Sequence, residues 1–129
     1  VNDFHQKLAH RSDTHHELIE RRRQQARAVI AAKLSKEKWE HLLGDARAAA
    51  QRGETEFLLL RFPCEVCTDQ GRAVNAPDPS WPETLRGLPA EMFLRWKKEL
   101  RPLGFALHAR VTNFVDGIPG EIELCLAWD

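Results

Sequence analysis

Two stretches near the end of the chain alternate apolar and polar residues with a period of two, and they constrain the fold more than any other feature. In 105–114 the odd positions Phe105, Leu107, Ala109 and Val111 are apolar, and in 121–128 the even positions Ile122, Leu124, Leu126 and Trp128 are. This period puts successive side chains on opposite faces of a strand. Asp116, Gly117, Ile118, Pro119 and Gly120 predict a hairpin turn between the two. For both apolar stripes to share a face, paired residues must have numbers of odd sum, as in Val111 with Leu124 or Ala109 with Leu126. A slip by one residue would turn a whole stripe to water. The opposite face then collects His108, Arg110, Thr112 and Phe114 with Glu121, Glu123, Cys125 and Ala127, and Arg110 near Glu123 forms a cross-strand ion pair.

A third strand is predicted over Phe57 to Phe62, apolar on both faces apart from Arg61, which marks a strand covered on each side. The run from Cys64 to Asn75 reads as a small hairpin turning at Asp69 to Gly71, or else as a long loop. Ala76 to Pro82 is extended. Pro82 suits the first position of a helix carrying Leu85, Leu88, Met92, Trp96 and Leu100 at helical spacing, with Gly87 and Pro89 set to kink or split it.

The first part of the chain is helical. Leu18, Ile19, Ala26, Val29, Ile30 and Leu34 recur at helical spacing, with Thr14 and Glu17 as a capping box at the expected start, and residues 1–11 read as an extension. Ser35 is a good N-cap for a second helix, Lys36 to about Arg52, with Trp39, Leu42, Leu43, Ala46, Ala49 and Ala50 on its inner face and Gly53 at its end. The predicted architecture is an α+β, two-layer α/β sandwich. N-terminal helices precede a β-α-β-β order with an extra short hairpin, and helices cover one face of a small mixed sheet.

Composition sharpens this picture. The chain of 129 residues has 19 basic and 19 acidic side chains, but the charge is unevenly spread. Residues 1–53 hold 11 Lys and Arg against 7 Asp and Glu, and residues 54–129 hold 8 against 12. All seven prolines and six of the seven glycines lie at or after Gly53. A basic helical arm over 1–53 and a small α/β part over 54–129 are therefore expected within one globular domain. Zero net charge argues against nucleic-acid binding by bulk electrostatics. No apolar run approaches the roughly 20 residues of a membrane span, and Val1 to His5 lack the basic start of an export signal, so a cytoplasmic protein is expected.

No catalytic constellation is visible. Cys64, Glu65, Val66 and Cys67 make a Cys-x-x-Cys, but no helix N-terminus is predicted there to lower a thiol pKa. A zinc site would have to gather Cys64, Cys67, Cys125 and His108 from distant segments without a second short ligand spacing. His15, His16 and Glu17 approach a zinc-protease helix, but Glu20 stands where the second histidine belongs. Ser12, Ser35 and Ser80 read as caps or turn residues, and no glycine-rich phosphate loop exists. No metal or cofactor is assigned.

Two surfaces remain as candidates. Arg21, Arg22 and Arg23 present guanidiniums on a helix that fits an acidic partner. Its apolar stripe also fits self-association into a dimer. Asp69, Arg72, Asn75 and Trp81 lie on the irregular segment after the first strand, where α/β sheets tend to hold ligands. The expected function is a non-catalytic, self-associating interaction or regulatory module. The alternative is a small-ligand or zinc-binding protein, or an enzyme, using the Cys64 to Trp81 segment.

Overall fold

The computed structural model describes the backbone of residues 2–115 and 118–128 and the side chains of residues 16–114 and 120–128. Its elements run α1 (Asn2–Ala31), α2 (Lys36–Gln51), β1 (Glu56–Pro63), α3 (Arg72–Asn75), α4 (Leu88–Arg95), β2 (Ala106–Val111), β3 (Phe114–Val115), β4 (Ile118–Pro119) and β5 (Glu121–Ala127). Ser35 separates the first two helices, because its hydroxyl accepts the Lys38 amide at 3.0 Å and starts α2. Helix α1 starts at Asn2, well before the capping box at Thr14 and Glu17, and the Thr14 side chain of that box lies outside the described residues, as do those of His5, His10 and His15.

The sheet has the order β1-β5-β2. Both outer strands pair antiparallel with β5, so β1 and β2 run in the same direction without touching. The expected mixed sheet is thereby corrected: β5 sits between the two parallel strands, and every neighbouring pair is antiparallel. Ala109 faces Leu124 and Val111 faces Ile122. These sums are odd, as the pattern requires, with the register two residues away from the illustrative pairs. The β2 to β5 connection adds a two-residue ladder, Phe114 with Pro119 and Val115 with Ile118, whose tip at 116–117 lies outside the described residues.

The inward stripe carries Ile122, Leu124 and Leu126, which pack with Phe62, Met92 and Trp39 as fully buried side chains. Each contributes about 1.5–3 kcal/mol on burial. Helices α1 and α2 pack against β1, and α1 also packs against α4. The other face of the sheet is wet. There Glu123 lies between Arg61 and Arg110, and Arg110 also reaches Glu56 at 2.9 Å, so the predicted Arg110–Glu123 pair (3.1 Å) is part of a four-residue lattice.

The hairpin expected over Cys64 to Asn75 does not form. Cys64–Val66 is a turn of 3-10 helix and Arg72–Asn75 a turn of α-helix, although the bend at Asp69 to Gly71 is present. Backbone partners from outside the segment replace a strand ladder. Arg86 donates to the carbonyls of Glu65 (2.7 Å) and Val66 (2.9 Å), and the Thr68 amide donates to the Thr84 carbonyl at 2.8 Å. The later helical stretch is divided as its glycine and proline predict: a 3-10 turn at Trp81–Thr84, then α4, then a π-helical turn at Trp96–Leu100 and a 3-10 turn at Arg101–Leu103.

Candidate functional site

On α2, Leu43, Ala46, Arg47 and Ala50 follow the i, i+3, i+4, i+7 spacing that puts four residues on one helical face. Two of the four are alanines, too short to reach the wall opposite. That wall is the chain after α4, where Leu100 is buried and Leu103 stands 71% exposed at the rim. Between the two walls runs a groove of about 550 Å3, within the size range of small-molecule sites. Leu126 and Trp128, two residues apart on the same face of the C-terminal strand, form its floor. Trp128 is held from both sides: its amide donates to the Thr55 carbonyl at 3.0 Å, and its ring meets Phe105 edge-on with centroids 6.4 Å apart.

The side chains lining the groove are apolar apart from Arg47 and the indole N–H of Trp128. Arg47 is the sole charged residue lining it, and it has no ion-pair partner among the described residues. A second, smaller depression of about 390 Å3 lies beside Pro79, Pro82, Phe93 and Leu94. Both Glu83 and Lys97 line that one, so no single charge is left to choose a ligand there.

The residues singled out from sequence have structural tasks or stand alone. Arg22 is half-buried and works inside the fold: it donates to the Gly120 carbonyl at 2.8 Å and pairs with Glu65 at 3.0 Å, tying α1 to the end of β1 and the start of β5. Arg21 and Arg23 are exposed, and Arg23 leans toward Glu20 at 3.8 Å. Asp69 caps α3, accepting the Gly71 amide at 3.0 Å and the Ala73 amide at 2.8 Å. Arg72 and Asn75 are exposed on that short helix. Trp81 is half-buried and meets Phe93 edge-on at 6.3 Å between centroids. Asp69 and Trp81 thus shape the segment, and the sequence-derived set does not converge on one cavity.

The cysteines are equally dispersed. The Cys64 amide donates to Gly120, whereas Cys125 lies opposite Leu58, five residues further along the strand and so about 16 Å away. Among the described residues no group of three or more His, Cys, Asp and Glu is placed to hold a metal. All three cysteines are buried and outside any disulfide. Burial pushes the Cys64 thiol up to about 12, helped by its hydrogen bond to Glu65 (3.2 Å), and burial likewise raises Cys67 and Cys125. A thiol held in its neutral form is a poor nucleophile and a poor metal ligand.

The groove was not found from sequence, although Leu43, Ala46 and Ala50 were placed on the inner face of α2. The available signal was the pairing of small residues with an arginine on that face, which leaves space where a packed helix would present leucines. Comparison with protein-family models, curated proteins and solved structures finds no match to this chain. Among the described residues no helix is long and apolar enough to cross a membrane.

Proposed function

We propose that the protein is a non-catalytic binding module whose ligand occupies the groove between α2 and the C-terminal strand. The groove itself carries the proposal: it is larger than the depression beside Pro79 and Pro82, and the Trp128 of its floor is held by the Thr55 carbonyl and the Phe105 ring. Neutral, buried thiols and the dispersal of the sequence-derived polar residues favour binding over catalysis. Cysteines outside any disulfide also fit a cytoplasmic setting, where thiols stay reduced. The test uses a neutral fluorescent naphthylamine, which reports apolar sites without help from charge. Saturable one-to-one binding to the intact chain, lost in Ala50→Trp at unchanged melting temperature, is the expected result. Absence of saturable binding to the wild-type protein contradicts the proposal.

Self-association through α1 is a second reading, favoured by Leu18, which is 51% exposed beside the exposed Arg21. An arm-to-sheet contact between copies receives little help from charge, since Glu56 and Glu123 are already neutralised by Arg61 and Arg110 within one chain. The contact left to α1 is its own apolar edge. Light scattering should then give twice the chain mass, returned to one by Leu18→Glu. A monomer mass for the wild-type chain rules this reading out.

A further inference from the structure

We infer that the groove selects monocarboxylates with an apolar body, the class represented by a medium-chain fatty acid. This rests on the groove being a ligand site and adds the charge of what it holds. Arg22, Arg52, Arg61 and Arg110 are each matched to a carboxylate of the chain, but Arg47 is not. Its guanidinium therefore stands available beside an apolar slot. A planar guanidinium takes a carboxylate through two parallel hydrogen bonds, and Arg47, exposed at the groove, is open to such a partner. Among the described residues no carboxylate lines the groove to repel an anion.

The same features disfavour other occupants. A phosphate dianion needs several converging donors, and among the described residues Arg47 and the Trp128 indole are the only lining side chains that donate hydrogen bonds. A basic helix from a second copy would bring guanidiniums toward Arg47. A neutral apolar molecule would leave that charge unused. The remaining fit is one negative charge on an apolar body, with the head at Arg47 and the body over Leu126 and Trp128.

The experiment displaces the neutral naphthylamine from the intact chain with octanoate and with 1-octanol. In a merely apolar slot the alcohol binds more tightly, because it carries less hydration to lose. Here octanoate should bind about five- to tenfold more tightly than octanol, the advantage expected of one charge-assisted pair. Arg47→Gln should abolish that preference while keeping naphthylamine binding, and Arg47→Lys should restore part of it. If the naphthylamine and octanol bind but octanoate has no advantage, the carboxylate selectivity is wrong and the groove stands as an apolar site. If octanoate wins equally in Arg47→Gln, the assignment of its head to Arg47 is wrong. If nothing binds, both the inference and the site beneath it fall.

Discussion

At the scale of single residues, Arg22 shows how a side chain that looks like a surface contact becomes structural. From sequence it is one of three consecutive arginines. In the fold its guanidinium is spent on Glu65 and the Gly120 carbonyl, 43 and 98 residues away, while Arg21 and Arg23 stay exposed. Nothing local distinguishes the three, because the distinction is made by which face of α1 meets the domain. Arg22→Ala should cost about 1.5–3 kcal/mol, the range for hydrogen bonds to charged groups, and Arg21→Ala almost nothing; urea unfolding of both variants checks this. The cysteines give a second test. In the native state their thiols titrate above the ordinary range, and Cys64 does so at about 12. Below about pH 8.5 the thiols are neutral in both states and the stabilisation is complete. As the pH rises beyond that, the unfolded chain gives up protons that the native chain keeps, so stability falls toward pH 12. With no tyrosine in the chain, phenol titration does not intrude. The urea midpoint should drop between pH 7.5 and pH 10, and drop less in Cys64→Ala; equal midpoints at the two pH values would count against buried, neutral thiols.

At the scale of elements, the alternating stripes of β2 and β5 were legible because their period and parity are local properties, and the Ser35 cap was legible for the same reason. The segment from Cys64 to Asn75 was not. Its conformation depends on Arg86 and Thr84, which supply backbone partners from another part of the chain. The docking of α1 on α4 has a similar hidden determinant. Gly87 has φ +65° and ψ −133°, a conformation for glycine alone, and a Cβ there would lie 2.3 Å from the Ile30 Cα. From sequence Gly87 is a helix breaker; in the fold it is also the floor on which the end of α1 rests. Gly87→Ala combines backbone strain with a clash that no rotamer relieves, and should destabilise the protein by about 1–3 kcal/mol or more. Limited proteolysis should show the α1–α2 region becoming cleavable before the sheet does. A variant as stable and as protected as wild type would mean that α1 does not rest there.

At the scale of the whole molecule, the split into a basic first part and an acidic second part changes meaning. The acidic surplus of 54–129 includes Glu56 and Glu123, which pair with arginines of the same sheet, and Glu65, which pairs across to α1. The pairs of Glu56 and Glu123 lie within the second part and leave its surplus unchanged; the ion pairs that join the two parts among the described residues are Arg22 with Glu65 and Arg52 with Glu54. Arg47 stands apart as a charge left over beside an apolar space, which sequence could not reveal because the space exists only where α2, the turn after α4 and the C-terminal strand come together. The central claim is that this space is the binding site. The most direct measurement is the amide 1H-15N spectrum of the intact chain titrated with octanoate. The account predicts saturable shifts confined to the Leu43–Ala50 face, the Leu100–Phe105 wall and Leu126 to Trp128. Saturable shifts centred instead on α3 and Trp81, or on the exposed face of α1, would contradict it.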